Sequence, residues 1–251
     1  MPGLGTSGDE DNRALRNLGR TLSEVRDAAA MIETVDLLGR KYHDDAAVVR
    51  LAEVRSVFVK QRAAARRHAD SESAPEEGIM ALRRLRRRLN DWNIGSEFCA
   101  LGPGLKKTYR GGRRALAACR KNPDADHLHK LRRRVKDFWY QVRLLESLWS
   151  DPAQSPEKAL RDLQEDLGNA HNLAVLRRRA DGSADGVAHM IDEFEAELCQ
   201  KSLAAAKELY AEKPGAHVRR ITELWEAWRG ETHRKSAKQA GAGSPHASSA
   251  A

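Results

Sequence analysis

A run of cationic side chains between residues 129 and 143 is the part of the chain best suited to chemistry. On a helix that turns about 100° per residue, one side of this run holds cations, a histidine and a phenol: His129, Arg132, Arg133, Lys136, Tyr140 and Arg143. The neighbouring side is apolar: Leu128, Leu131, Val135, Phe138, Trp139 and Val142. A solvated helix usually alternates Lys or Arg with Glu four residues away, but the cationic side holds no acid. The pattern therefore predicts a helix face that binds an anion.

A second group of cations lies upstream, on a helix predicted over residues 105–121. Its candidate anion contacts are Lys106, Tyr109, Arg110, Arg113 and Arg114. Packed beside the helix that carries His129, this helix would complete one basic groove. Arginine can hold two oxygens at once, and lysine offers a mobile point charge. The mixture suits an anion with many oxygens.

Several of these residues also have ordinary structural explanations. His129 would otherwise cap or pack on the helix flank. Tyr109 and Tyr140 would otherwise pack with a solvated hydroxyl. The arginine-rich run 83–88 most often means a solvated helix face, although it could extend the groove. We assign the large aromatic residues nearby to the core: Phe138, Trp139 and Trp149.

The composition limits what these helices can belong to. The chain has 251 residues, 41% of them hydrophobic, which suits one large domain or two small ones. A formal charge of +8 and a pI near 9.6 favour an acidic partner: nucleic acid, polyphosphate or an anionic membrane surface. Three widely spaced cysteines without a Cys-x-x-Cys predict neither a disulfide framework nor a zinc site. No apolar run approaches the ~20 residues that span a bilayer, so we predict a cytoplasmic protein without membrane insertion.

Helical periodicity runs through most of the chain and predicts an all-α fold. Apolar residues recur at steps of three and four, and no stretch alternates at period two as a strand would. The predicted helices begin at Leu15 and continue to about residue 38, then cover residues 45–68, 79–92, 105–121, 126–149, 155–179, 187–210 and 216–228. Residues 1–12 and 231–251 are rich in small and polar residues, which predicts disordered ends.

An internal repeat divides the chain into two halves. Residues 15–27 align without a gap on residues 160–172, with Leu, Arg, Leu and Leu matching at the first, second, fourth and eighth positions. We interpret this as a duplication that gives two related helical bundles, residues 13–99 and 100–230. The cationic helix precedes Leu160 in the second half. No matching helix precedes Leu15, so the first half is predicted to be incomplete at its start.

Four segments carry a resemblance to a known family: residues 10–16 with 22–27, 101–116, 128–140 and 167–176. The third holds the run Leu128-His129-Lys130-Leu131-Arg132, and the fourth holds Ala170-His171-Asn172. In order and spacing, the chain resembles the CHAD family, the conserved-histidine α-helical domain. This match is far more specific than any one basic helix.

The resemblance implies both a fold and a function. It implies two helical bundles with basic helices lining a shared groove, which binds inorganic polyphosphate and associates with polyphosphate granules. It implies no catalysis, cofactor or metal. The family's first histidine and arginine helix, expected before Asn12, is missing, and His171 is followed by Asn172 where the family usually has Asp. His171 and Arg26 are possible supporting residues behind the groove.

Other functions stay open beside polyphosphate binding. Sequence-independent nucleic-acid binding would use the same electrostatics, but the cationic faces offer little exposed aromatic surface on which bases could stack. An enzyme acting on phosphate chains would need clustered carboxylates for Mg²⁺ or a Gly-rich phosphate loop, and neither is evident. A helical adaptor would recruit acidic proteins through the same face. A homodimer would restore the missing wall of the groove.

Overall fold

The computed structural model describes residues 13, 16, 19, 23–71, 74–88, 98–179 and 187–242. Every regular element in these residues is a helix, which confirms the predicted all-α fold. The α-helices are α1 (Ser23–Lys41), α2 (Asp45–Ser71), α3 (Ala74–Arg88), α4 (Gly102–Lys121), α5 (Ala125–Leu144), α6 (Glu157–Arg179), α7 (Ala188–Leu209) and α8 (Pro214–Ala242). Three short 3₁₀ turns accompany them at Phe98–Ala100, Glu146–Leu148 and Pro152–Gln154.

Local capping chemistry sets the boundary between α4 and α5. Pro123 cannot donate a backbone hydrogen bond, and the Asp124 carboxylate accepts one from the His127 N–H at 2.8 Å. Asp124 is therefore the N-cap of α5, and hydrogen bonds from the two His127 nitrogens keep the pKa of its carboxyl below the usual value. A short turn between the two helices makes them antiparallel neighbours.

Several helix ends differ from the prediction; for example, α3 begins at Ala74 and not at residue 79. Residues 126–149 were expected to form one helix, but α5 ends at Leu144 and a 3₁₀ turn follows. There the Leu145 N–H donates to both Gln141 and Val142, which tightens the last turn. At the other end of the chain α8 continues to Ala242, beyond the predicted end at residue 228, so residues 231–242 are helical. Residues 1–12 and 243–251, predicted to be disordered, lie outside the described residues.

The chain forms two compact units, and each draws on two stretches of sequence. The first unit comprises residues up to 96 and residues 168–200, and the second comprises residues 97–167 and those from 201 onward. The predicted boundary at residue 99 falls near the first change of unit, but the chain returns to the first unit at Gly168. The internal duplication and the shared groove stay predictions.

The core of the first unit joins α1 and α2 to later parts of the chain. Leu38 and Phe58 pack in one buried cluster with Leu173 and Ile191. At its edge the Tyr42 hydroxyl donates to the Glu193 carboxylate at 2.9 Å. Burial and this carboxylate raise the pKa of Tyr42 to about 12, so the phenol keeps its proton at neutral pH.

The core of the second unit centres on Tyr109 of α4. Its ring stacks on His217 with the centroids 4.0 Å apart, and Phe138 of α5 meets it edge-on at 5.4 Å. Its hydroxyl donates to the Leu209 carbonyl at 3.1 Å. Phe138 and Trp149 are buried, as the sequence predicted. No α-helix in the described ranges is long and apolar enough to cross a membrane.

Candidate functional site

One side of α5 presents the cations that the sequence singled out, which we name the α5 cationic face. Four of its members are exposed, namely one histidine and three cations: His129, Arg133, Lys136 and Arg143. Tyr140 is also exposed, and Arg132 is half-buried at the edge of the face. The helix has this orientation because its apolar stripe, including Leu131, Val135 and Phe138, fills the core. Packing of the stripe thus turns the cations outward.

Two aromatic rings support cations of the α5 cationic face. The Lys136 Nζ lies 5.8 Å from the centre of the Tyr140 ring, and the Arg143 Cζ lies 4.9 Å from the Trp139 ring. Trp139 is fixed in turn because its indole N–H donates to the Glu157 carboxylate at 3.0 Å. A cation over an aromatic ring is attracted to the π face, so these contacts hold both side chains in place.

The role of Trp139 was missed from the sequence, which assigned it to the core. Trp139 is only half-buried and carries Arg143 on its ring. The spacing held a usable signal, since Trp139 and Arg143 are four residues apart, as are Lys136 and Tyr140. Side chains four residues apart are neighbours on a helix.

Contacts between α4 and α5 show which side of α5 faces its neighbour. The Gln141 amide donates to the Thr108 hydroxyl at 2.9 Å. The Arg134 side chain lies against Gly111, where a Cβ would be 3.3 Å from the Arg134 Cδ. Arg132 and Arg143 are each two residues from Arg134 or Gln141, which places them about 160° away around the helix. Arg132 and Arg143 therefore lie on the far side of α5 from α4.

The groove predicted between α4 and α5 stays a prediction. Lys106, Arg110 and Arg114 are exposed on α4, as expected for solvated cations. The three residues stay candidate anion contacts.

Two α4 residues proposed as anion contacts have structural partners. Tyr109 is only 1% exposed, and its hydroxyl is used by the Leu209 carbonyl, so it cannot reach a ligand at the surface. Arg113 is half-buried and donates to the Glu212 carbonyl in the turn between α7 and α8. The prediction for Tyr109 was wrong because helical spacing alone did not reveal that α8 covers this side of α4. The prediction for Arg113 stays a prediction.

An ionisable cluster around the buried His217, beside Tyr109, was not predicted from the sequence. Glu212 accepts two hydrogen bonds from Arg220, at 2.9 and 3.3 Å, and its Oε2 lies 3.5 Å from the His217 Nδ1. Hydrogen bonds from Arg220 lower the pKa of Glu212. Burial lowers the pKa of His217 to about 4, so its ring is neutral at physiological pH. The cluster fixes the start of α8 rather than offering a surface site.

The two proposed supporting residues belong to the other unit. Arg26 is exposed on α1 and pairs with its neighbour Asp27 at 3.3 Å. His171 is half-buried on α6, in the part of that helix that packs with the first unit. Their suggested role behind the groove stays a prediction.

Acidic side chains near α5 pair with groups that are not members of the α5 cationic face, so the face keeps its positive charge. Asp137 pairs with Arg134 at 3.3 Å on the side toward α4. On α6, Asp162 pairs with Lys158 at 3.1 Å, and Glu157 holds Trp139. Within the described ranges, no group of three His, Cys, Asp or Glu side chains could hold a metal ion.

Fold and face together describe an all-helical protein that presents a strongly cationic helix side. A family model described as the CHAD domain matches residues 6–181, which span α1 to α6 and include the α5 cationic face. The chain belongs to the CHAD family. No curated protein and no solved structure matches it.

Proposed function

We propose that this protein binds inorganic polyphosphate through the α5 cationic face and catalyses no reaction on it. The observation that carries the proposal is a row of cations, two of them held by aromatic rings, on a helix side with no acid. Membership of the CHAD family supports it, because CHAD domains bind ligands of the polyphosphate type.

The spacing of the face suits a linear polyanion. His129, Arg133, Lys136 and Arg143 recur along α5 at steps of roughly one or two helical turns. An α-helix rises about 1.5 Å per residue, so the face is about 20 Å long. A polymer with a negative charge at each phosphate would meet a cation at most turns. Arg133 and Arg143 would grip two oxygens each, whereas Lys136 would supply a point charge.

The same side chains give little means of cleaving a phosphate chain. Phosphoryl transfer normally relies on carboxylates that hold Mg²⁺ and on a group that positions the nucleophile. The α5 cationic face offers guanidinium, ammonium, imidazole and phenol groups, which neutralise and orient phosphate oxygens. Non-covalent binding is therefore the function that this donor set favours.

The test is direct binding of long-chain polyphosphate to the whole chain at about 0.15 M salt. We expect the triple variant Arg132→Gln, Arg133→Gln, Lys136→Gln to bind at least about tenfold more weakly, since charge-assisted contacts are lost. The matched control replaces three other exposed lysines of the same unit by Gln: Lys107, Lys121 and Lys130. It removes the same charge and should change affinity by less than about threefold.

Competition with duplex DNA and heparin decides specificity. Polyphosphate binding that persists in the presence of both polymers, and is lost in the triple variant, supports the proposal. Equal affinity for polyphosphate, DNA and heparin would identify a general polyanion surface and overturn the proposal. An equal loss in the control triple would show that the face was assigned wrongly. Circular dichroism of both variants checks that the helices remain.

A further inference from the structure

Helix α3 combines exposed apolar side chains with a dense set of arginines. Ile79, Met80 and Leu82 are 50%, 50% and 48% exposed. The same helix carries five arginines within its last six residues: Arg83, Arg84, Arg86, Arg87 and Arg88. Single exposed apolar residues are common in proteins, but three on one helix among five cations form a distinct surface.

The contacts of α3 leave this surface facing outward. Gly78 is buried and Ala81 and Leu85 are half-buried, which defines the side that packs within the first unit. At about 100° per residue, the exposed arc runs from Leu82 through Ile79 to Met80, with arginines between them. An open hollow of about 510 Å³ lies on this arc and is lined by Met80, Arg83, Arg86 and Arg87. Each exposed apolar side chain thus has cations beside it.

Interleaved apolar and cationic side chains suit a surface with two chemical layers. A polyphosphate chain has no carbon with which Ile79 or Leu82 could pack. A bilayer interface offers phosphates and, about 5–10 Å deeper, the start of the acyl region. Arginine can lay its alkyl stem along apolar groups while its charged end reaches the phosphates.

We infer that α3 docks this protein on membranes that contain anionic lipids. Ile79, Met80 and Leu82 enter the boundary of the acyl region, and the surrounding arginines contact headgroup phosphates. The helix lies in the interface and does not cross the bilayer. The inference uses a helix of the first unit and does not depend on polyphosphate binding by α5.

The experiment is co-sedimentation of the whole protein with lipid vesicles at about 0.15 M salt. One set contains phosphatidylcholine alone, and the other contains about one third phosphatidylserine, which attracts basic segments. We expect binding only to the anionic vesicles. The double variant Ile79→Ser, Leu82→Ser should weaken this binding about tenfold, since two apolar side chains no longer enter the interface.

The matched control for apolar loss is Val48→Ser, Val57→Ser on α2, where the side chains are 52% and 43% exposed. It should change vesicle binding by less than about threefold, because acidic residues lie three or four positions from these valines, at Asp44, Asp45 and Glu53, and negative charge disfavours contact with an anionic membrane. A second variant, Arg83→Gln with Arg87→Gln, should weaken binding at least about tenfold by removing two headgroup contacts.

Three results would overturn the inference. One is an absence of binding to anionic vesicles. Another is an equal loss in the Val48 and Val57 control. The third is binding that depends on the arginines but not on Ile79 and Leu82, which would mean simple attraction of a basic surface to negative charge. The α5 triple variant should bind vesicles like the unmodified protein, so failure of the polyphosphate proposal would be seen separately.

Discussion

Gly112 shows at the scale of one residue how the second unit is packed. A Cβ at this position would lie 2.2 Å from the Tyr210 ring, far inside contact distance. Tyr210 is itself buried and packs against Tyr109 and Phe138, so moving its ring would disturb these contacts. The close approach of α4 to Tyr210 therefore requires glycine.

The variant Gly112→Ala should lower the free energy of unfolding by about 2–3 kcal/mol, because overpacking a rigid core is costly. Gly111→Ala is the matched control. Its Cβ would meet only the flexible Arg134 side chain at 3.3 Å, and alanine in a helix interior is up to ~1 kcal/mol better than glycine. Urea denaturation of both variants measures the difference. Equal stability of the two variants would contradict this packing.

His217 should make the stability of the protein sensitive to mild acid. Its pKa is about 4 in the folded protein and 6.5 in an ordinary setting, so the unfolded chain binds a proton between these pH values and the folded protein does not. Stability therefore decreases as the pH falls from about 6.5 to about 4. The loss is on the order of 3 kcal/mol, at 1.36 kcal/mol per pKa unit.

The variant His217→Phe tests this because it removes the titrating group and keeps an aromatic ring beside Tyr109. We expect the stability of the unmodified protein to fall more steeply than that of the variant as the pH is lowered through this window. The measurement is urea denaturation at several pH values. Parallel curves would show that His217 does not titrate as its burial implies. Glu212, whose pKa is lowered, contributes only below about pH 4.5, as its carboxylate becomes protonated.

At the scale of one helix, α5 shows how a sequence stripe becomes an ordered surface. Its apolar side chains turn into the core, and its cations are left on the opposite side. Order on that side comes from Trp139, which is held by Glu157 and lies under Arg143. An arginine fixed in this way loses less conformational freedom when it binds an anion.

Replacing Trp139 by Leu and by Phe separates the ring from the rest of the side chain. Both variants lose the hydrogen bond to Glu157, but only Phe keeps an aromatic face for Arg143. We expect polyphosphate affinity to be about two- to fivefold lower in Trp139→Leu than in Trp139→Phe, the size of an exposed cation–π contact. Titration of both variants measures it. Equal affinities would mean that the ring contact does not prepare Arg143 for binding.

At the scale of the whole molecule, the net charge of +8 comes from cations on several helices. Exposed cations lie on α3 in the first unit and on α4 and α5 in the second. The proposed binding uses the cations of α5, and the salt dependence of the affinity can count how many take part.

If binding uses Arg132, Arg133, Lys136 and Arg143, these four side chains displace counterions from about four phosphates of the polymer. The logarithm of affinity should then fall with the logarithm of salt at a slope of about −3, so a fourfold increase in salt weakens binding about 60-fold. Affinity measured between about 0.05 and 0.2 M salt gives the slope. A slope near −1 would rule out this set of contacts, and a much steeper one would show that further cations take part.

Much of the local architecture could be predicted from the sequence. The helical periodicity of α2, α4 and α7 was visible because each helix repeats its apolar residues at three- and four-residue steps. The same periodicity predicted that His129, Arg133 and Lys136 share one side of α5. These properties depend on neighbours within a turn or two, which the sequence lists in order.

Only the tertiary structure decided how those helices are rotated and what covers them. Tyr109 is buried by contacts with Leu209, 100 positions away, and Arg113 is used by a carbonyl 99 positions away. The return of residues 168–200 to the first unit also depends on packing between distant segments. A helical stripe shows which residues share one side of a helix. Which other helix packs against that side depends on shape and burial across the molecule. For that reason the sequence determined the all-α fold and the cationic stripe, whereas tertiary packing determined which cations remain available to a ligand.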